Sequence, residues 1–450
     1  MKKTLSLLLA ASMLASMVAG CGGSPAASSS EAPASSAAPA ASEAPASSAA
    51  PAASEASSEA PESQAAPTGE KKELTLWHYH DGDLSTLAKE YCDEYSAQSD
   101  VANVTSVQLP FGDFKKQLSV GSAAGSLPNM VFIDNCDCVA YSAMGMFKDI
   151  TEQMKDNEDI HDYYEQILNT CYYEGKMYAV PANSNNMQIY YNKDMFDAAG
   201  ITKIPETWDE LKADAKTLTK DGVYGFGMCA VGNEEGTFQY LPFQYTAGGD
   251  SYQLDSESGI KAMTLLADMV QDGSMPKDVV MWSQSDVQTQ FKAGRLAMMF
   301  MGCWAIGGLE KGQEDGSVAF EWDNFAIPKD ATYGSVYGGE NLAIVKGDGE
   351  EESVDFLKWF MEYDRNKKWN IDSGHFIPRE KTLSDPDFTD RPHWKVVIDL
   401  IPYTNARPAD PKWPEISLGY QQALQEALTL QSTPDQACKN GQAVIDAARA

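Results

Sequence analysis

YAVPANSNNMQIYYNKDMFDAAGITKIPETWDELKADAKTLTK, residues 178–220, reads as a strand followed by two helices. Met187 to Tyr191 is the strand, and Lys193 to Ala199 is a short helix closed by Gly200, a residue that turns the chain without a Cβ penalty. Pro205 then marks the break before the next helix. Thr207-Trp208-Asp209-Glu210 has the form of a capping box: the threonine side chain covers free N–H groups, the glutamate reaches back, and Leu211, Ala215 and Leu218 follow on the buried side. Strand and helix alternate here at short intervals.

The same alternation runs upstream. Leu74 to Trp77 reads as a short strand, and Leu84 to Ser96 as a helix, with Leu84, Leu87, Ala88, Tyr91 and Tyr95 at helical spacing. Val104 to Leu109 and Met130 to Ile133 are further strands, the latter bounded by Pro128 and Asp134. Such alternation predicts a mostly parallel sheet covered by helices, with ligands meeting the loops at the carboxyl ends of the strands. Tyr79, His80, Asp81, Asp134 and Asn135 fall at that rim. Trp77, within its strand, is expected to point into the core.

Pro181, Tyr191-Asn192-Lys193-Asp194, Phe196, Ala199-Gly200, Pro205 and Thr207-Trp208 together resemble the family 1 extracellular solute-binding proteins. The similarity continues through Phe291-Lys292-Ala293-Gly294-Arg295-Leu296-Ala297-Met298, Gly302-Cys303-Trp304, Gly338-Gly339-Glu340-Asn341-Leu342-Ala343-Ile344 and Thr433-Pro434-Asp435-Gln436-Ala437. It covers the chain from about Leu74 to the end. The resemblance, to the sugar-capturing subunits of ABC importers of the maltose-binding kind, implies an α/β, periplasmic-binding-protein-like fold of type II. Two lobes would be joined by a hinge, with a ligand cleft between them. The implied partition places 71–180 plus 334–380 in one lobe and 181–333 plus 381–450 in the other. Ligand would close the lobes, and ABC permease transmembrane subunits would be the partner; no cofactor, metal or covalent chemistry is implied, and a monomer is expected.

A sugar offers hydroxyls at its edges and C–H groups on its faces, so its site needs aromatic planes beside carboxylates and amides. Trp304, after the strand Ala297 to Met301 and Gly302, matches the family's stacking tryptophan. Tyr79 and Asp81 fall where the family's first strand delivers sugar contacts. Asp134 and Asn135 can accept hydroxyl donors or simply serve the turn. Asn185, Phe238 and Glu340 are further candidates, with Gly339 allowing a backbone N–H to approach the ligand. Arg407 and Tyr420 complete the set. An arginine at this place resembles members of the family that hold glycerol phosphates or acidic sugars, so a charged polyol is the alternative ligand; an ion pair is the other reading of Arg407.

The first residues carry a separate signal. Lys2 and Lys3 precede an apolar stretch from Leu5 to Val18, and Val18-Ala19-Gly20-Cys21 ends it, which resembles a bacterial lipoprotein signal. Residues 1–20 are then a signal peptide and Cys21 the lipidation site, tying the protein to the outer face of the cell membrane. Residues 21–70 are almost wholly Ala, Ser, Pro and Glu, with SEAPASSAAPA at 30–40 recurring at 42–52. With no aromatic or branched apolar side chain to bury, this stretch is expected to be a disordered tether.

Composition narrows the partners. The 65 acidic and 34 basic residues give a formal net charge of -31, which repels nucleic acid and anionic lipid. After the leader no run reaches the roughly 18 apolar residues that spanning needs. Seven further cysteines, 92, 136, 138, 171, 229, 303 and 438, suggest no disulfide framework and read as buried thiols; a metal or redox role for Cys136-Asp137-Cys138 is the weaker reading.

Enzyme chemistry finds little to stand on. His78-Tyr79-His80-Asp81 begins like a metallo-hydrolase motif, but Gly82 and Asp83 stand where an aspartate and a histidine are required. GxSxG and P-loop patterns are absent. A lipid-anchored glycoside hydrolase is the rival enzyme reading, since it too combines aromatics with carboxylates, yet no carboxylate pair is singled out.

Overall fold

The computed structural model describes residues 70–450, so the leader, Cys21 and nearly all of the proposed tether lie outside the described residues. In chain order the strands are β1 (Lys72–His78), β2 (Ala102–Gln108), β3 (Met130–Asp134), β4 (Tyr172–Tyr173), β5 (Lys176–Met177), β6 (Ala179–Pro181), β7 (Met187–Asn192), β8 (Tyr224–Gly227), β9 (Leu296–Gly302), β10 (Trp322–Phe325), β11 (Ser335–Tyr337), β12 (Glu340–Ile344) and β13 (Thr404–Ala406). Two sheets dominate, β2-β1-β3-β12-β6 and β10-β7-β9-β8. Each carries its own helices, in the two-lobe α/β arrangement.

The alternation in β1 buries Leu74, Leu76 and His78 and leaves Trp77 half-buried, packed at the margin of the core. The helix after it, Gly82–Gln98, buries Ala88, Tyr91, Cys92 and Tyr95. β9 reads Leu-Ala-Met-Met-Phe-Met-Gly and is buried along its whole length, as a strand covered on both faces must be. The capping box forms as read: the Thr207 hydroxyl accepts from the Glu210 N–H at 3.3 Å and the Glu210 carboxylate accepts from the Thr207 N–H at 3.1 Å, opening the helix Trp208–Leu218. Gly200 sits in the left-handed region, φ 71°, at the end of Lys193–Ala199.

The expectation of a mostly parallel sheet needs correction. β1 runs parallel to β2 and β3, but β12 lies antiparallel to both β3 and β6. The second sheet is also mixed, with β7 antiparallel to β9 and β10 and β8 parallel to β9. The reason is the route of the chain. β12 is reached from the second sheet, so it starts beside the carboxyl end of β3, where Glu340 pairs with Asp134, and runs back between β3 and β6.

The crossings between the sheets are bound to one another. Ser184 exchanges backbone hydrogen bonds with Phe376 at 2.8 and 3.0 Å, and Asn185 does so with Gly338 at 3.3 and 3.1 Å. Beside them β11 and β13 form a short parallel ladder. All three passages of the chain therefore meet at one place, directly behind the site.

Candidate functional site

Strand ends deliver the side chains. From β1 come Tyr79, His80 and Asp81, from the end of β3 Asp134, and from the start of β12 Glu340; the second sheet contributes Trp304 just past β9. Helix Glu234–Thr246 adds Glu234, Glu235 and Phe238, and helix Gln284–Lys292 adds Gln284, Ser285 and Gln288. With Asn185, Phe111, Gly339, His375 and Arg407 they line a cavity of about 150 Å³ between the sheets. Aromatic faces and hydroxyl-bonding groups thus share one small space.

Two glycines make the close approaches. A Cβ on Gly302 would lie 1.8 Å from the Trp304 ring, so only glycine lets the indole fold back across the strand end. Gly339 adopts φ +117°, and a Cβ there would lie 2.6 Å from the Asn183 carbonyl oxygen. Trp304 then lies nearly parallel to His375, 16° between planes with centroids 6.3 Å apart, and tilted against Phe238. Tyr79 meets Phe111 and Phe114 edge-on at 4.9 and 5.1 Å.

Arg407 is the electrostatic centre. Its Nη1 donates to Asp134 at 2.9 Å and to Glu234 at 2.9 Å, and its Nη2 donates to Asp134 at 2.5 Å and to Asn135 at 3.1 Å. The guanidinium also lies 4.7 Å from the Phe238 ring centroid. Burial alone would lower its pKa, but Asp134 and Glu234 outweigh that and hold it well above the ordinary arginine value. Glu234 is further bound by the Trp413 indole N–H at 3.0 Å and the Ser417 hydroxyl at 2.5 Å. Asp134 and Glu234 belong to different sheets' surroundings, so this buried triad ties the lobes together.

The remaining polar groups are held largely uncharged or as acceptors. Burial raises the Glu340 pKa, partly countered by His375 and by Asn183, whose amide donates to the carboxylate at 2.6 Å. Burial also lowers His375 and His80 to about 4 and His78 to about 3, so all three are neutral imidazoles near pH 7. His375 Nδ1 is 3.0 Å from the Ser373 hydroxyl, leaving Nε2 available. Such a set can accept and donate hydrogen bonds to hydroxyls without carrying net positive charge.

Most of the residues singled out from the sequence meet here: Tyr79, Asp81, Asp134, Asn185, Phe238, Trp304, Gly339, Glu340 and Arg407 all line the cavity. Two do not. Tyr420 is fully buried in the second lobe, its hydroxyl donating to the Ser251 carbonyl at 2.7 Å and its ring packed on Tyr240, because its helix turns this face to Glu234–Thr246. Asn135 lies beneath the lining, its side-chain oxygen taken by Arg407. Arg407 has every Nη hydrogen committed to Asp134, Glu234 and Asn135, which agrees with the ion-pair reading, and its Nε is buried without a hydrogen-bond partner. The only group of metal-type ligands close together among the described residues, Asp134, Cys136 and Asp137, is likewise engaged, Asp134 by Arg407 and Asp137 by Lys115.

Sequence reasoning missed Glu234, Glu235, Gln284, Ser285, Gln288 and His375 as site residues. Glu234 could have been found from Phe238, one helical turn away on the same face. Ser283, whose hydroxyl and Asp286 form a capping box, announces the start of the helix that carries Gln284 and Ser285. His375 follows a helix end and carries no pattern of its own.

The family described as "Bacterial extracellular solute-binding protein" matches residues 90–396. A binding protein of Brucella abortus is 26% identical over 351 residues, spanning 75% of this chain and 84% of its own. A lactose-binding protein of Rhizobium radiobacter is 26% identical over 310 residues, 63% of this chain and 69% of its own. Among solved structures, an ABC transporter solute-binding protein from Thermotoga lettingae bound to α-D-tagatose superposes with a TM-score of 0.77 at 24% identity, covering 84% of this chain and 100% of that one.

Proposed function

Since the chain belongs to the bacterial extracellular solute-binding proteins, we propose that it captures a carbohydrate in the cleft, closes around it and delivers it to an ABC permease. The observation that carries this reading is the pairing, in one cavity, of aromatic planes (Trp304, Phe238, Tyr79) with hydroxyl-bonding groups (Glu340, Asn185, Gln284, Gln288, His375). Faces and edges of a sugar ring need that combination. Sugar-binding relatives, including the lactose-binding protein, agree with it. The lobes in this reading are 71–180 plus 334–380 and 181–333 plus 381–450, and the active form is a monomer.

Two of the five cavity carboxylates are spent within the wall. Asp134 and Glu234 share Arg407, so neither is free to act as acid or nucleophile. The alternative of a glycerol phosphate or similar charged polyol loses the residue that suggested it, since Arg407 is already neutralised within the wall. We further propose that Cys21 is acylated and residues 21–70 tether the domain outside the cell. Among the described residues no helix is long and apolar enough to cross a membrane. Each methylene of an acyl chain buried in the bilayer contributes about 0.8 kcal/mol, and the two chains of a diacylglycerol on the thiol hold where a single chain binds only marginally.

A thermal-shift screen of the full chain against mono- and oligosaccharides, sugar acids, glycerol phosphates and amino acids tests the reading. The saccharide that binds stabilises by about 2.7 kcal/mol at roughly a hundredfold excess over its Kd, and it is recovered intact. Stabilisation by amino acids alone, or release of smaller sugars, overturns it.

A further inference from the structure

The cavity does not end at Trp304. Beyond the indole lies an outer chamber of about 580 Å³, and Asp81, Leu84, Ser285, Gln288 and Trp304 line both spaces. Its remaining wall comes from Lys292 on helix Gln284–Lys292, from the start of helix Ala305–Asp315, from Ile371 to Gly374 and from Arg391. The two spaces are neighbours across these residues, with the Ser285–Asp81 hydrogen bond at their boundary.

The two spaces differ in charge. The inner one is lined by Asp81, Asp134, Glu234, Glu235 and Glu340, with Arg407 as its cation, and that cation is spent on two of those carboxylates. The outer chamber balances Asp81, Asp83 and Asp372 with Lys292, Lys311 and Arg391; there Asp81 accepts from Ser285, Lys311 pairs with Asp83 at 2.8 Å and Asp372 pairs with Lys368. Lys292 and Arg391 have no ion pair among the described residues. Arg391 Nη1 is buried without a hydrogen-bond partner. Lys292 is half-buried, and its Nζ lies 3.0 Å from where a Cβ on Gly308 would stand, so it rests on the first turn of helix Ala305–Asp315. That turn has no acidic residue and no side-chain cap, and Gly307 and Gly308 leave its backbone uncovered. Glu310 and Asp372 lie within electrostatic reach of Arg391, whose guanidinium also stacks 4.4 Å from the Trp394 ring centroid, and Asp83 and Asp315 lie within reach of Lys292, yet none of these closes an ion pair, so both cations stay incompletely satisfied. In a chain of net charge -31 this is an unusual place to keep positive charge unpaired.

Resting on the carbohydrate reading above, we propose that the outer chamber is a second saccharide subsite, and that Lys292 and Arg391 there bind an anionic group, a carboxylate or sulfate, carried by the sugar unit next to the one in the inner cavity. The inner cavity has no free cation to offer such a unit, since Arg407 is bound by Asp134 and Glu234, so the anionic unit is placed in the outer chamber. The substrate class is an acidic oligosaccharide of two or more units.

The test is titration calorimetry of the full chain with three disaccharide probes that share one neutral unit: a wholly neutral one, one whose second unit is a uronate, and one whose second unit is sulfated. The uronate or the sulfated probe binds at least about tenfold tighter than the neutral one, and the tighter of the two identifies the anion. Lys292→Gln reduces that preference while leaving the affinity for the neutral probe and the melting temperature unchanged; Arg391→Gln reduces it too, with a lower melting temperature from the lost stacking on Trp394, and Arg391→Lys, which keeps the charge, retains most of the preference. Equal or tighter binding of the neutral probe, or substitutions that weaken all probes alike, overturns the inference and leaves the carbohydrate reading intact. Failure of every saccharide in the screen, with another solute class bound, overturns both.

Discussion

Arg407 holds its charge where water does not reach, and the two carboxylates it binds would be unsupported without it. Removing one member of a buried ion group typically costs about 3–5 kcal/mol because the other charges remain buried. Arg407→Met is therefore expected to lower unfolding free energy by about that amount in urea titrations; a loss below about 1 kcal/mol would show that Asp134 and Glu234 do not depend on it. Trp304 is a different kind of residue, partly buried against both cores and open to the cavity. Trp304→Ala should weaken saccharide binding at least about tenfold, 1.4 kcal/mol, by calorimetry on the folded variant. The two residues also differ in legibility. Trp304 stands in a local motif, Gly302-Cys303-Trp304, whose geometry is set by its own strand end. Arg407 is bound to partners 273 and 173 positions away, and no local pattern contains them. Its role is a property of the folded chain, as is the burial of Tyr420 that sequence position alone did not reveal.

At the scale of elements, local chemistry was the most readable. The helix read from Leu84 to Ser96 spans Gly82–Gln98, and the capping box at Thr207 forms with both of its hydrogen bonds. Thr207→Ala should cost about 1 kcal/mol of stability, seen as a lower melting temperature, and leave ligand affinity unchanged, since Thr207 lines neither the cavity nor the outer chamber. Gly302→Ala should do the reverse. Its new methyl would meet the Trp304 ring, so the indole moves and affinity falls at least about tenfold, 1.4 kcal/mol, a comparison that calorimetry beside thermal melting can separate. Strand direction was not readable in the same way. Each strand's pattern of burial says that it lies in a sheet but not from which end the chain enters, and the antiparallel β12 follows from a crossover made more than a hundred residues after β6.

Across the whole molecule the lobes touch at the mouth. The Ser285 hydroxyl donates to Asp81 at 2.7 Å, and Lys311 pairs with Asp83 at 2.8 Å. The Lys311–Asp83 pair is exposed, and such pairs contribute about 0–1 kcal/mol, so Lys311→Gln should change affinity less than about fivefold. Acid should act on the molecule more strongly. His78, His80 and His375 are held below the ordinary histidine value, to about 3, 4 and 4, by burial, so the unfolded chain binds protons that the folded one refuses. Stability from these groups is fully present above about pH 6.5 and is lost as pH falls from there toward 4. Asp137, raised to about 6, and Glu340, also raised, act in the opposite sense over part of that window, again through burial. Three imidazoles outweigh them, and the melting temperature should fall steadily between pH 6.5 and 4; a flat or rising profile would contradict this.

The central position of β12, between β3 and β6, has a consequence in time. A ribosome delivers β1, β2, β3 and β6 long before it reaches Glu340, and until then two strand edges in the middle of the first sheet have no partner. The strands of the first sheet are separated along the chain by the whole of the second, so the first sheet cannot be completed and lock early. A nascent chain kept open until its last quarter is well suited to being threaded, unfolded, through an export channel, and the strand that completes the sheet is the step that ends that freedom.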